Sequence, residues 1–192
     1  LIFGRRIKSL VFTTDLAIIK NCDADAVFAV YPFTPQQSIS DAIIRAAAVP
    51  VFTGIGGGIT KGLRSVRLAK DAESQGAFGV VLNAPTSNRD LKLVATSIDI
   101  PVVITVTSEK SDIRDRLRHG ASIINIAAGE RTPDIVRMID AKYPDVPIIA
   151  SGGNTPESIR ETIRAGANAI TYTPPTTKEL FVDVMEQYRE KY

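Results

Sequence analysis

The sequence predicts an α/β fold, namely a single closed (β/α)8 barrel with short loops that spans residues 1–192. Eight apolar runs of strand length alternate with segments of helical character, and no break divides the chain into two halves. The runs are nearly continuous in apolar residues, which is typical of strands buried on both faces of a parallel sheet. They also begin in two alternating ways, which indicates an internal repeat.

The starts of the strands show this repeat. One kind of strand follows a proline and the other follows Gly-Ala, and like repeats with like after about two strand–helix units. Two earlier runs complete the set of eight. The proline-introduced strands are "VPVFTG" from 49, "IPVVITVTS" from 100 and "VPIIASGG" from 146; the others are "GAFGVVLNA" from 76, "GASIINIAAG" from 120 and "GANAITYT" from 166; the two earlier runs are "IKSLVFTT" from 7 and "DAVFAVY" from 25.

Helical periodicity fills the intervals between the strands. In "SNRDLKLVATSI" the side chains of Leu91, Val94 and Ile98 fall on one helical face. An open doubly wound sheet is the alternative architecture, but eight regular units favour the closed barrel. Three helices are expected to begin with a capping threonine before a proline, which suits the first helical position; these pairs are at 34–35, 132–133 and 155–156.

Composition and charge exclude several classes of partner. The net charge is +2 with the two signs interleaved, and no basic run indicates a nucleic-acid-binding surface. No apolar stretch approaches the ~20 residues that a membrane span needs. A single cysteine, Cys22, and the lack of a visible signal peptide predict a cytoplasmic protein.

A barrel places its active site at the carboxyl ends of its strands, so the residues that follow each strand are the candidates. The most unusual of these segments is "TGIGGGIT", residues 53–60, with four glycines within five residues. Gly56, Gly57 and Gly58 are expected either to present main-chain N–H groups to a ligand or simply to turn the third strand into its helix.

The turn after the seventh predicted strand indicates an anion site. In "IIASGGNTPESI" the strand ends at Ser151, and Gly152 and Gly153 precede a helix start. Two glycines let main-chain N–H groups point at an anion, and the positive end of the helix adds to the attraction.

This turn resembles the seventh-strand motif of the phosphate-binding (β/α)8 barrels, the broad group that includes thiamine-phosphate synthase and indole-glycerol-phosphate synthase. The resemblance implies that Gly152 and Gly153, with Ser151, grip a phosphate together with the loop after strand 8. That loop departs from the pattern, because Pro174 and Pro175 have no N–H to offer. Hydroxyl groups replace the amides there, and the expected donors include Thr171 and Thr173.

A second resemblance covers nearly the whole chain. The segments "GGG", "NAPTSN" and "ITYTPP" are similar to those of a group of bacterial barrel proteins that carry generic labels, among them hydrolase. This resemblance implies the barrel fold and a shared mouth without specifying a reaction.

The residue types at the predicted mouth restrict the chemistry. No lysine lies inside strands 2 to 8, which argues against a Schiff-base aldolase. The single histidine, His119, sits at a helix end, so imidazole catalysis and a histidine-rich metal site are not expected.

Carboxylate, lysine and amide chemistry remains. The acidic candidates are Asp15, Glu109 and Glu130, and the basic candidates are Lys61 and Lys110. Asp15 is the first choice, although it equally suits the start of a helix. Asn83 and Asn125 are candidate ligand contacts, since an amide in an apolar strand needs a partner.

These observations favour an enzyme that transfers a proton on a small phosphorylated metabolite, of isomerase, lyase or transferase type. A non-catalytic barrel that binds a phosphorylated ligand and regulates a partner is the alternative, and a hydrolase is a third. No cofactor is required, and Mg²⁺ held by Asp15 or Glu109 is compatible with the sequence. A homodimer is compatible with it too, but no surface patch specifies one.

Overall fold

Eight parallel strands close into a barrel in a computed structural model that describes residues 1–153 and 155–191. Strand β1 pairs with both β2 and β8, so the predicted (β/α)8 architecture is confirmed. The strands are β1 Ser9–Phe12, β2 Ala26–Ala29, β3 Val51–Gly56, β4 Gly79–Leu82, β5 Val102–Val106, β6 Ile123–Ile126, β7 Ile148–Ser151 and β8 Ala169–Tyr172. The helices are α1 Leu16–Asn21, α2 Gln37–Ala46, α3 Leu63–Ser74, α4 Asn88–Ala95, α5 Ile113–Arg118, α6 Thr132–Lys142, α7 Pro156–Arg164 and α8 Thr177–Lys191, with a 3-10 turn at Gly129–Arg131 before α6.

Alternate residues of each strand face the inside of the barrel or the surrounding helices. Every strand contributes a side chain to one buried cluster inside the barrel, and Ile2 packs against this cluster. The outward side chains pack on the helices in two further clusters. Both faces of the sheet are therefore apolar, which explains the nearly continuous apolar runs in the sequence. The inward residues include Leu10, Phe52, Val103, Ile123 and Ile149.

The helix starts differ in how they are capped. At α7 the predicted threonine cap is confirmed, because the Thr155 hydroxyl accepts a hydrogen bond from the Ser158 N–H at 3.1 Å. The prediction for Thr34 is wrong, since α2 begins later, after Gln36, which makes no side-chain cap. Thr132 is the first residue of α6, not its cap, and its hydroxyl accepts from the Ala128 N–H at 3.1 Å.

Helix α8 differs from the other helices because none of its side chains is buried. Phe181, Val184, Met185 and Tyr188 form an apolar stripe with helical spacing, and Phe181 is 64% exposed. These residues are therefore not part of the core, and the homodimer that the sequence allows stays a prediction. Along residues 1–153 and 155–191, no helix has the length and apolar character needed to cross a bilayer.

Asp15 connects α8 to the rest of the barrel and caps α1. Its carboxylate accepts hydrogen bonds from the N–H groups of Ala17 at 2.8 Å and Ile18 at 3.3 Å. The other carboxylate oxygen accepts from the hydroxyl of Thr177, the first residue of α8. The hydrogen bond from Thr177 is the main cause that lowers the pKa of Asp15. Burial opposes this shift, and the hydrogen bonds from Ile18 and Ala17 lower the pKa further.

We expect Asp15→Ala to lower the free energy of unfolding by about 1 kcal/mol, the usual loss on removing a helix cap. Chemical denaturation measures this change. Asp134→Ala is the control, because Asp134 is exposed and makes only an ion pair with Arg137. An equal loss in both variants would contradict the capping role.

The same carboxylate predicts a dependence on pH. Because the pKa of Asp15 is lowered in the folded protein, its stabilising effect is fully present above the ordinary aspartate pKa. The effect is lost as the pH falls through the lowered value. The difference in stability between the native protein and Asp15→Asn should therefore shrink in acid, and a constant difference would argue against it.

Candidate active site

The largest cavity described in the barrel opens at the carboxyl ends of the strands and has a volume of about 780 Å³. This is the end at which active sites of such barrels are built. Its lining comes from the upper inward positions of the strands and from the loops that follow them. Predicted site residues on this lining are Asn83, Asn125, Glu130, Ser151, Gly152, Gly153, Thr171 and Thr173.

The two sides of the cavity differ in chemistry. Phe12, Phe28 and Val30, from β1 and the end of β2, form an apolar side, and the rings of Phe12 and Phe28 lie 6.2 Å apart. The wall from β5 to β8 carries hydroxyl and amide groups. These polar residues are Thr105, Asn125, Ser151 and Thr171. The cavity therefore suits a ligand that has an apolar face and a hydrogen-bonding edge.

Thr105 and Asn125 form a polar pair at neighbouring positions of β5 and β6. The Asn125 Nδ2 donates a hydrogen bond to the Thr105 Oγ1 at 3.1 Å, and each residue is only 6% exposed. The Asn125 Oδ1 is buried and has no hydrogen-bond partner. A buried polar atom without a partner is costly, so this atom calls for a donor from a ligand or a water molecule.

The Gly152–Gly153 turn lies on the rim beside the start of α7. Gly153 has a φ of +77°, a conformation that favours glycine. The Gly152 N–H donates a long hydrogen bond, 3.4 Å, to the Thr171 carbonyl. No residue within the described ranges accepts from the Gly153 N–H, which makes this amide the free donor of the turn.

Both glycines are also required by packing. A Cβ atom on Gly152 would lie 2.6 Å from the Ile170 Cγ2 and 2.8 Å from the Ile159 Cγ1. A Cβ atom on Gly153 would lie 2.4 Å from the Ser158 Oγ. The Ser158 hydroxyl in turn donates to the Gly152 carbonyl at 2.8 Å and fixes the turn against the helix. A tight turn therefore explains the two glycines with or without a ligand.

The charge of the cavity is carried by carboxylates. Glu130 and Glu161 line it, whereas the lining residues of the described chain include no lysine, arginine or histidine. Glu130 follows β6 in the 3-10 turn, and Glu161 lies in the second turn of α7. Both glutamates are exposed at the rim. A bound anion would therefore rely on main-chain N–H groups, hydroxyls and the end of α7.

Three of the predicted catalytic residues lie outside this cavity. The Asp15 carboxylate is engaged by α1 and Thr177, so the structure uses it as a cap. Lys61 lines a separate pocket of about 260 Å³ beside α3. Glu109 forms an ion pair with Arg131 across two exposed loops, and the hydrogen bond from this pair raises the pKa of Arg131. Of the four residues, only Glu130 faces the cavity.

The glycine loop after β3 is also separate from the cavity. Gly56, Gly57 and Gly58 line a smaller pocket of about 150 Å³. The Gly57 N–H donates to the Thr60 carbonyl at 3.0 Å, and the Gly58 N–H donates to the Pro85 carbonyl at 2.9 Å. These amides hold the loop itself, so the simple turn is the better of the two interpretations. The loop departs from the expected ligand contact because the carbonyls of Thr60 and Pro85 already accept from the N–H groups of Gly57 and Gly58.

Asn83 lies between these two regions and lines both the cavity and the smaller pocket. Its side-chain oxygen accepts from the Ala84 N–H at 3.0 Å, and its carbonyl accepts from the Thr86 hydroxyl at 2.5 Å. The amide is exposed at the rim, where it remains able to donate to a ligand.

Three features of the lining were not predicted from the sequence. Thr105 interrupts an apolar strand two residues after the inward Val103, which is the same signal that identified Asn125. Glu161 gave no signal, because one acidic residue on an exposed helix is ordinary. The aromatic side was missed because Phe12 and Phe28 read as core residues.

Comparisons with known proteins identify the fold but assign the chain to no family. No family model matches the chain. One similar protein is the inosine-5'-monophosphate dehydrogenase of Chlorobaculum tepidum, which is 31% identical over 103 residues. The match covers 53% of this chain and 17% of the dehydrogenase, so it spans only a small part of that enzyme.

Solved structures resemble the barrel over nearly its whole length. Phosphonopyruvate hydrolase has a TM-score of 0.74 at 14% identity, covering 98% of this chain and 83% of that one. A phosphoenolpyruvate phosphomutase from Streptomyces platensis has a TM-score of 0.70 at 12% identity, covering 98% and 82%. Dihydrodipicolinate synthase from Agrobacterium tumefaciens has a TM-score of 0.68 at 18% identity, covering 90% and 71%. At these identities the likeness shows the fold alone.

The glycine loop yields a prediction about stability. A Cβ atom on Gly57 would lie 2.3 Å from the Asn83 carbonyl oxygen, whereas a Cβ atom on Gly58 would meet nothing within 4 Å. Both glycines have positive φ, +119° and +63°. We expect Gly57→Ala to lower the thermal midpoint clearly more than Gly58→Ala, which adds only backbone strain. Equal effects would contradict the steric explanation.

Proposed function

We propose that the mouth cavity binds a small phosphorylated metabolite and that the protein is an enzyme that transfers a proton on it. The observation that carries this proposal is the arrangement of the rim. A free glycine amide beside a helix start and an exposed carboxylate open onto the same cavity, at the carboxyl ends of the strands. The reaction is of isomerase, lyase or transferase type.

The phosphate is assigned to the Gly152–Gly153 turn. The free Gly153 N–H and the positive end of α7 attract an anion there. The Thr173 hydroxyl, on the neighbouring rim segment, adds a further donor. Since Pro156 occupies the first helical position and the Ser158 N–H is taken by Thr155, α7 supplies fewer donors than an uncapped helix. The turn alone therefore binds phosphate weakly, and contacts to the rest of the ligand have to contribute to the affinity.

Glu130 is assigned as the acid–base residue. It follows β6 directly and lines the cavity, which are the position and the chemistry that proton transfer requires. Glu161 lines the same cavity from α7 and is the second carboxylate within it. Proximity to a cation is not needed for this role, because a carboxylate takes up and returns a proton by itself.

The named activities of the similar proteins are in line with an enzyme of small metabolites. They include a phosphonopyruvate hydrolase, a phosphomutase and a dehydrogenase of a nucleoside monophosphate. A phosphonopyruvate hydrolase structure holds oxalate and Mg²⁺. In this chain the described residues contain no group of three or more metal-ligating side chains, so no step of the proposal is routed through a metal ion.

A regulatory barrel that binds its ligand without turnover is the second candidate. The specific observation in its favour is that Asp15, Lys61 and Glu109 all lie outside the cavity. Two carboxylates as the only charged side chains on the described lining are few for an active site, and such a lining is fully compatible with binding alone.

Binding of the phosphate can be tested with inorganic phosphate and ¹⁵N-labelled protein. We expect the Gly153 amide signal to shift on titration. Gly153→Ala should weaken binding about tenfold or more, because its Cβ atom displaces the turn from Ser158. The control is Gly76→Ala, which has the same positive φ but open space around its Cβ. An unmoved Gly153 signal would overturn the assignment of the phosphate site.

Proton transfer can be tested separately, by deuterium uptake from D₂O into a pool of small phosphorylated metabolites. The native protein should label at least one component, and Glu130→Gln should slow labelling by roughly 10²–10⁴-fold. Glu157→Gln serves as the control, because Glu157 pairs with Arg160 and does not line the cavity. Bound ligand without any labelling would favour the regulatory barrel.

A further inference from the structure

We infer that the Thr105–Asn125 pair is a recognition site for a neutral hydroxyl or primary amide group at the inner end of the ligand, and that it disfavours a carboxylate there. The inference takes from the proposed function only that the mouth cavity is the ligand site. It assigns a chemical class to the end of the ligand opposite the phosphate.

The hydrogen-bonding capacity of the pair leads to this class. The Thr105 Oγ1 accepts from the Asn125 Nδ2, which leaves its own hydrogen to be donated. The Asn125 Oδ1 has no partner and can accept. The second hydrogen of the Asn125 Nδ2 is a further donor. Free donors and a free acceptor, side by side, match a group that both accepts and donates. Hydroxyl and primary amide groups do so.

The orientation of the carboxamide does not change this conclusion. If the Asn125 amide is rotated by 180°, its oxygen accepts from the Thr105 hydroxyl and its nitrogen takes the place of the unpaired oxygen. The nitrogen then supplies the free donors and Thr105 keeps a lone pair to accept. In both orientations the pair presents donors and an acceptor together.

Charge excludes the anionic alternative. A carboxylate at this depth accepts from the donors of the pair but donates nothing, so the free acceptor of the pair stays without a partner. No cation lines the cavity to compensate, since Glu130 and Glu161 are its charged residues within the described chain. Burying an uncompensated anion is expensive, whereas a neutral group satisfies both partners.

The pair and the glycine turn lie at different depths of the cavity. Asn125 is in register with Ile149 on β7, whereas Gly153 lies beyond the end of that strand, at Ser151. A ligand that contacts both therefore needs a chain between its phosphate and its inner group, and five-carbon probes provide one.

The aromatic side of the cavity supports the same class of ligand. Phe12 and Phe28 line the same cavity as the polar residues, so a bound chain meets both apolar rings and hydrogen-bonding groups. A hydroxylated carbon chain offers C–H groups to the rings and hydroxyls to Thr105 and Asn125.

Four probes test the inference on ¹⁵N-labelled protein: ribitol 5-phosphate, 5-phosphoribonate, pentyl phosphate and unphosphorylated ribitol. The Asn125 side-chain NH₂ signal, identified by its absence in Asn125→Asp, reports on the inner end. The Gly153 amide signal reports on the phosphate. We expect ribitol 5-phosphate to shift both signals, ribitol to shift that of Asn125, and pentyl phosphate to shift that of Gly153.

Affinities provide the second measurement. Ribitol 5-phosphate should bind roughly ten- to hundredfold more tightly than pentyl phosphate or 5-phosphoribonate. Asn125→Leu and, separately, Thr105→Val should reduce this preference to about one. The matched control is Thr53→Val, because Thr53 is an equally buried threonine whose hydroxyl lies 3.1 Å from that of Ser40 on the outer face of β3.

The outcomes separate this inference from the proposed function. If the Asn125 signal responds to ribitol but the Gly153 signal does not respond to phosphate, the recognition role of the Thr105–Asn125 pair is supported. The assignment of the phosphate site is then contradicted. An Asn125 signal that neither ribitol nor ribitol 5-phosphate moves would overturn the inference. Equal affinity of the native protein for ribitol 5-phosphate and 5-phosphoribonate would also overturn it, regardless of the affinities measured for Asn125→Leu.

Discussion

Closure of the parallel sheet is the constraint on which the rest of the structure depends. Because β1 pairs with β8, alternate side chains of every strand are directed into one interior, and the strand ends meet at one rim. The lower inward positions are apolar and fill the barrel. In the layer above, polar residues such as Thr105 and Asn125 take the place of apolar ones, and they line the cavity. The site is thus a local interruption of the core.

Steric demands and binding demands coincide at the rim. The turn at Gly152 and Gly153 packs so closely on Ile159, Ile170 and Ser158 that side chains cannot be added there. In this turn the Gly153 N–H has no acceptor among the described residues. A feature required for packing therefore supplies the donor assigned to the phosphate, and neither role has to be sacrificed for the other.

The sequence was sufficient for the fold, because strand repeats and apolar runs follow directly from closure. It also indicated Asn125 as a candidate contact, since an amide in an apolar strand is conspicuous, and this residue does line the cavity. It failed for Asp15, because a carboxylate after a strand looks the same as a helix cap and as an acid–base group. It failed for the glycine loop for a related reason. The carbonyls that accept from Gly57 and Gly58 are determined by the tertiary structure, and the spacing of residues along the chain does not predict them.

The weak attachment of α8 has a consequence for the rim. Its side chains add nothing to the buried clusters, so its first turn is tied down chiefly by polar contacts such as that between Thr177 and Asp15. Thr173, on the segment leading into this turn, lines the cavity. Fraying of the carboxyl-terminal helix would therefore be transmitted to one wall of the binding pocket, while the strands below kept their amide hydrogens protected from exchange. Ligand occupancy and the order of the fifteen residues of α8 would then be thermodynamically linked.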